Sequence, residues 1–171
     1  MASANPTLPL SPQILSMLVW NGAKPDNLRM SNVTAIGLIL MVLGTSIRLM
    51  TFRYLGRFFR FQVSIQEDHE LIVSGPYAVV RHPSYSGLLI LFIGWFPWQM
   101  SEGSWIIESG LWDMTLGRSF VMINIALIFM GAFQLVLVRT QKEDAALKKH
   151  FGTKWDNWAK DVPYAIIPGI Y

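Results

Sequence analysis

Apolar residues are gathered into long uninterrupted runs rather than into the alternating pattern of a half-buried strand. Three runs, at about residues 32–52, 85–100 and 119–138, approach the roughly 20 apolar residues that a helix needs to cross a bilayer. A shorter run at about 10–21 predicts either the first arm of a helical hairpin or a helix lying at the interface. The pattern therefore predicts an all-α fold, a polytopic membrane helical bundle in which residues 1–171 form a single domain.

The composition supports the membrane assignment and argues against several other classes of protein. Hydrophobic residues make up 52% of the chain and charged residues only 15%, against about 25% in soluble domains. The chain has no cysteine, which excludes a disulfide framework, a thiolate nucleophile and a cysteine-ligated metal. Its three histidines lack the i, i+4 spacing of a helical zinc site, so no metal is predicted. The net charge of +3, without a basic run interleaved with aromatic residues, does not favour nucleic acid.

The lysines and arginines are distributed unevenly between the predicted loops. Ten of the fourteen lie in two segments, residues 53–81 and residues 139–160. Because an even number of spans separates these segments, both emerge on the same side of the membrane. The positive-inside rule makes that side cytoplasmic. The loop at 62–85 and the tail at 139–171, with a helix predicted to end near Gly152, are therefore expected to face each other.

The segment at 74–87 carries the densest polar chemistry and leads directly into an apolar run. Pro83 disfavours helix at His82 and predicts that the next helix starts near Ser84, with its free N–H groups and positive dipole end toward His82. Two interpretations remain open from these residues. The segment is a ligand-binding loop, or it is a capped loop in which Arg81 binds a lipid phosphate and the two tyrosines anchor at the interface.

A second polar pair follows the last apolar run. Arg139 stands at the predicted membrane boundary, and Glu143 is one helical turn later on the same face. An exposed i, i+4 pair of this kind contributes only a few tenths of a kcal/mol. The alternative is that Arg139 holds an anionic substrate while Glu143 holds a cationic or hydroxylated group of a cofactor.

Taken together, these motifs resemble the isoprenylcysteine carboxyl methyltransferase family. The resemblance rests on Leu-x-x-x-Gly-Pro-Tyr-x-x-x-Arg-His-Pro-x-Tyr-x-Gly, then Arg-Thr-x-x-Glu, Phe-Gly, Trp and Val-Pro, in that order, between about residues 62 and 171. Phospholipid N-methyltransferases of the wider superfamily carry a similar Arg-His-Pro element.

The resemblance implies a membrane enzyme that uses S-adenosylmethionine and methylates the C-terminal carboxylate of a prenylated cysteine. Its partners would be a prenylated protein C-terminus or a prenylcysteine and the membrane lipid, without nucleic acid or metal. It implies the endoplasmic reticulum membrane in a eukaryote, or the plasma membrane in a prokaryote, with the active site facing the cytosol. Arg139 matches the catalytic and substrate-binding arginine. The positions matching the family's cofactor site are Gln62, His69, Glu70, Leu71, Ile72, Tyr77, His82, Pro83, Ser84, Tyr85 and Glu143.

Two other functions remain open. One is methyl transfer to a phospholipid or another small amine, which would need no arginine to grip a carboxylate. The other is a non-catalytic membrane protein that binds anionic lipid through its basic side. The sequence has no recognisable catalytic dyad. This agrees with methyl transfer to a carboxylate, because an α-carboxyl with a pKa near 3.5 is already ionised at cytosolic pH and needs no base.

Overall fold

The computed structural model describes residues 17–20, 23, 27–59 and 68–170. These residues form helices and connecting turns, with no strand among them, which confirms the predicted all-α class. Five α-helices lie entirely within the described residues: α1 (Asn32–Leu55), α2 (Pro83–Met100), α3 (Trp105–Glu108), α4 (Thr115–Phe151) and α5 (Thr153–Asp161). Two 3-10 turns, Gly56–Phe58 and Gly75–Ala78, lie between α1 and α2.

Helix ends follow the local sequence. The Ser31 hydroxyl accepts a hydrogen bond from the Thr34 N–H at 3.1 Å and caps the start of α1. Pro83 is the first residue of α2, where its missing N–H removes no helical bond. Gly152 ends α4 with a positive φ of 55°, at the position that the sequence predicts.

Within the described part of the chain, two helical segments are long and apolar enough to cross a membrane, Asn32–Phe58 and Thr115–Phe151. Only 17% of the most apolar window in each is buried within the protein, so most of its apolar side chains face outward. Apolar faces of this size are unfavourable in water and favourable in contact with lipid tails. The chain is accordingly a helical membrane protein.

Helix α4 is longer than the predicted span at 119–138. Its 37 residues extend for about 55 Å, against a hydrocarbon core of about 30 Å. The charged part that begins at Arg139 therefore continues the same helix beyond the apolar run. The predicted tail begins as this extension and continues into α5.

Helices α1 and α2 run antiparallel and meet at glycines spaced seven residues apart. A Cβ on Gly37 would lie 2.6 Å from the Gly94 carbonyl oxygen, and one on Gly44 would collide with the Gly87 carbonyl oxygen. The two backbones touch directly, as small residues permit in membrane helix pairs. This packing supports a span for α2, which has 18 residues; its predicted span at 85–100 stays a prediction.

Helix α4 packs on the opposite side of α2 through larger side chains. The Phe129 ring lies 5.6 Å from that of Phe92 and 6.2 Å from that of Phe96. Closer to the start of α4, Val121 and Ile125 pack with Ile106 of α3. These contacts hold α4 alongside α2 and bring its C-terminal extension level with the start of α2.

The predicted short span at about 10–21 lies mostly outside the described residues. Its described end packs against the α2–α4 connection: the Trp20 N–H donates to the Ser109 carbonyl at 2.7 Å, and the Trp105 indole N–H donates to the Leu18 carbonyl at 3.1 Å.

The direct contact between α1 and α2 can be tested with two glycine substitutions that should change the free energy of unfolding differently. Gly44→Ala should lower the free energy of unfolding by about 1–3 kcal/mol, because its Cβ meets the backbone of α2. Gly131→Ala should be neutral or stabilising by up to about 1 kcal/mol, because nothing lies within 4 Å of its Cβ position and alanine is the better helix former. Denaturant unfolding in mixed micelles measures both. Equal effects of the two substitutions would contradict direct packing of α1 on α2.

Candidate functional site

The C-terminal segment is hydrogen bonded to the start of α2. The backbone N–H of Arg81 donates to the Tyr164 carbonyl at 2.9 Å, and that of His82 donates to the Ala165 carbonyl at 2.8 Å. The Ser86 hydroxyl donates to the Ile166 carbonyl at 2.6 Å. Residues far apart in the sequence therefore form one side of the site.

The Arg81 guanidinium points inward rather than toward lipid phosphate. It donates to the carbonyls of Val162 and Pro163 and to the Asp144 carboxylate, with Nη2 3.2 Å from Oδ2. Only 15% of its side chain is exposed. The lipid-phosphate interpretation of Arg81 is therefore wrong, because its donors join the loop, α4 and the tail.

His82 is buried between two carboxylates of α4. Its Nε2 lies 2.8 Å from Asp144 Oδ1 and its Nδ1 lies 3.3 Å from Glu143 Oε2. Burial alone would lower the pKa of His82, but the hydrogen bonds and charges of Asp144 and Glu143 outweigh it and raise that pKa above its ordinary value. With an acceptor at each ring nitrogen, the protonated imidazolium is the favoured form.

Glu143 connects this cluster to the predicted substrate arginine. One carboxylate oxygen, Oε1, accepts a hydrogen bond from the Tyr85 hydroxyl at 2.6 Å and lies 3.7 Å from Arg139 Nε. The i, i+4 pair considered from sequence is therefore formed. Both of its members also line a cavity, so the pairing and a ligand-binding role remain compatible.

A cavity of about 190 Å³ opens beside these residues, against the roughly 10–15 Å³ that one water molecule requires. It is lined by the end of α1, the segment before α2, the first turn of α2 and the extension of α4. Ten of the predicted site residues line it: His69, Glu70, Leu71, Ile72, Tyr77, His82, Ser84, Tyr85, Arg139 and Glu143.

Two predicted site residues are not among those that line the cavity. Pro83 begins α2 and is buried, but it does not line the cavity. Gln62 lies outside the described residues. Among the described residues, no group of three or more metal-binding side chains is placed to hold a metal ion.

The sequence-based prediction missed one wall of the cavity. The end of α1 contributes a mainly apolar surface, to which Trp158 of α5 adds an indole whose N–H donates to the Tyr77 carbonyl at 3.3 Å. The aromatic and basic residues that follow the first apolar run were the available signal. The residues of α1 and its following turn that line the cavity are Arg48, Phe52, Leu55, Phe58 and Phe59.

Two further groups that line the cavity, Tyr77 and His69, have pKa values shifted from their ordinary ones. Burial raises the pKa of the Tyr77 hydroxyl, with a further contribution from Glu143, so the phenol stays neutral. Burial, with the charge of His150, lowers the pKa of His69. The Nδ1 atom of His69 is buried and has no hydrogen-bond partner. A ligand with a polar edge would supply the missing partner.

Comparison with known proteins confirms the family resemblance. The sequence model of the isoprenylcysteine carboxyl methyltransferase (ICMT) family matches residues 36–105. The chain is 27% identical over 136 residues to protein-S-isoprenylcysteine O-methyltransferase B of Arabidopsis thaliana, covering 78% of this chain and 59% of that protein. It is 28% identical over 140 residues to protein-S-isoprenylcysteine O-methyltransferase of Dictyostelium discoideum, covering 80% of this chain and 49% of that protein.

A relative with a different name also matches. The chain is 28% identical over 102 residues to Delta(14)-sterol reductase TM7SF2 of Mus musculus, which covers 60% of this chain and 20% of that protein. The chain thus spans less than two thirds of the length of each of these relatives. The ICMT family match ends before Arg139 and Glu143, so the placement of these residues beside His82 rests on the fold.

The raised pKa of His82 predicts how stability depends on pH. A histidine whose pKa is higher in the folded protein contributes stability that is fully present below about pH 6.5 and is lost as the pH rises through the folded-state pKa. We expect the melting temperature to fall across that alkaline range, by roughly 2–4 °C for each kcal/mol lost.

His82→Gln should remove this part of the pH dependence. His150→Gln is the matched control, because His150 is exposed on the same side of the protein. Circular dichroism melts in lipid nanodiscs measure both variants. If His82→Gln kept the full wild-type pH profile, the buried imidazolium would be contradicted.

Proposed function

We propose that the chain is an S-adenosylmethionine-dependent methyltransferase that acts on the C-terminal carboxylate of a prenylated cysteine. One observation carries the proposal: Arg81 and His82 line the same cavity as the Arg139–Glu143 pair, at the end of the membrane-spanning part of α1. The similarity to isoprenylcysteine O-methyltransferases supports the same reaction class.

The residues present suit S-adenosylmethionine. Its adenine would fit against the apolar side chains of Leu71, Ile72 and Leu147, and the unpartnered His69 Nδ1 offers a polar contact at its edge. Its ribose hydroxyls and ammonium group match the carboxylates of Glu70 and Glu143, which also line the cavity. When bound, it supplies a methyl group activated by the adjacent positive sulfur.

The protein's task in this reaction is to position reactants and exclude water. The acceptor carboxylate is already ionised, so no side chain needs to remove a proton from it. Arg139 would hold this carboxylate through its planar fork of donors. His82 would hold the Glu143 carboxylate, which lies 3.3 Å from its Nδ1, and the orientation of two reactants can supply about 7–11 kcal/mol of a barrier.

The location of the cavity fits an acceptor that arrives from lipid. The apolar side chains of Phe52 and Leu55 line it at the end of a membrane-spanning helix, where a prenyl chain could enter from the bilayer. Methylation neutralises the terminal carboxylate and so strengthens membrane anchoring of the product. The basic side of the chain, which carries the cavity, would face the cytosol; residence in the endoplasmic reticulum is part of the proposal.

Transfer to a phospholipid or small amine is the main alternative. It is less well supported because Arg139 would then face a neutral or cationic acceptor. The similarity to a sterol reductase suggests a second alternative, reduction of a sterol double bond, but the match covers only 20% of that protein. A non-catalytic lipid-binding protein would have no use for a cavity lined by carboxylates and a buried histidine.

A methyl-transfer assay with labelled S-adenosylmethionine tests the proposal. A farnesyl-cysteine analogue with a free carboxylate should accept methyl groups, whereas unprenylated cysteine, phosphatidylethanolamine and a sterol should not. Equal turnover of prenylated and unprenylated cysteine would contradict the prenyl assignment, and turnover of the amine alone would favour the N-methyltransferase.

Arg139→Lys should lower kcat/KM for the prenylcysteine at least about tenfold, because the charge is kept but the bidentate fork is lost. Arg118→Lys is the matched control: it makes the same change at the exposed opposite end of α4. Wild-type rates in Arg139→Lys would remove Arg139 from the mechanism.

A further inference from the structure

Arg48 is a charged residue within a membrane-spanning helix. It lies two turns before the end of α1, where the sequence alone suggests an arginine that extends toward the interface. In the structure its side chain is half-buried and lines the cavity. Its Nη1 donates to the Ser84 carbonyl at 3.1 Å, and its guanidinium lies 5.4 Å from the centre of the Phe52 ring.

The packing of α1 on α2 sets the position of this arginine. A Cβ on Gly87 would lie 2.9 Å from Arg48 Cγ, so the glycine leaves the space through which the arginine side chain passes. The same glycine lies in the direct backbone contact with Gly44. The side chain of Arg48 is therefore positioned by the direct backbone contact between α1 and α2.

Arg48 differs from the other two cavity arginines in its partners. Arg81 is paired with Asp144 at 3.2 Å, and Arg139 is paired with Glu143 at 3.7 Å. No described carboxylate lies within 4 Å of Arg48, whose guanidinium donates instead to the neutral carbonyl of Ser84. A cation at membrane depth without an anionic partner is costly, and ionisable groups in such positions commonly bind a substrate or an ion.

We infer that Arg48 binds the carboxylate of the methyl acceptor and, together with Arg139, forms a two-arginine clamp. This inference rests on the proposed function and names the group that sets acceptor specificity. Both arginines line the cavity, and Tyr85 lines it as well. Arg48 lies about 10 Å further into the span than Leu55, so of the α1 residues that line the cavity it is the deepest in the apolar segment.

S-adenosylmethionine also carries a carboxylate that Arg48 could bind. The experiment therefore distinguishes the carboxylate of the acceptor from that of the methyl donor. Binding of three compounds is titrated in nanodiscs: an amine-blocked farnesyl-cysteine acid, its primary amide, and S-adenosylmethionine. The wild-type protein should bind the acid more tightly than the amide. In Arg48→Gln this acid-to-amide preference should fall at least about tenfold, while the affinities for the amide and S-adenosylmethionine stay unchanged.

Two further variants keep the result interpretable. Arg53→Gln removes the same charge from an exposed position on α1 that does not line the cavity, and it should keep the wild-type preference. Arg48→Lys keeps the charge and should retain part of the preference, which separates a lost contact from a misfolded helix pair.

Several outcomes overturn the inference. An unchanged acid-to-amide preference in Arg48→Gln would show that Arg48 does not bind the acceptor. A selective loss of S-adenosylmethionine affinity would assign Arg48 to the donor instead. Because the titration does not depend on turnover, it remains decisive if the wild-type protein binds the acid but transfers no methyl group to it, which would refute only the proposed function.

Discussion

The carboxylate of Asp144 connects the two halves of the site. One of its oxygens binds His82 and the other binds Arg81, so a single side chain of α4 fixes both charged residues that precede α2. Through Arg81 the connection extends to the carbonyls of Val162 and Pro163 in the C-terminal segment. Removing one partner of a buried ion pair commonly costs about 3–5 kcal/mol. The cavity depends on this cluster because its walls are otherwise separate segments.

Membrane geometry explains why these segments meet. Helices α1 and α2 are aligned by backbone contacts at Gly37 and Gly44, and α4 lies along the other side of α2 through the rings around Phe129. Three segments consequently lie close together at one end of the helix bundle: the end of α1, the start of α2 and the extension of α4. Polar groups and lipid-facing apolar surface meet there, which suits a reaction between a water-soluble donor and a lipid-linked acceptor.

Much of the helix arrangement could be predicted from the sequence. The bilayer constrains the length of each span, and the number of spans between two loops decides whether they emerge on the same side. These constraints place His82 and Glu143 on one side, and Pro83 and Gly152 mark helix ends through their backbone preferences. The role of Asp144 could not be predicted. It follows Glu143 directly, and helical periodicity does not show which of two adjacent carboxylates reaches a histidine on another helix. The directions of Arg48 and Arg81 were missed similarly, because the space beside Gly87 and the carbonyls of the tail are long-range features.

Hydrogen–deuterium exchange in lipid nanodiscs, with and without S-adenosylmethionine, tests the central claim most directly. If the loop before α2 and the extension of α4 close over one donor molecule, the donor should slow exchange in residues 68–82 and 139–147 together, at the same donor concentration. Protection of one segment alone, or of neither at saturating donor, would contradict a shared site and with it the proposed enzyme.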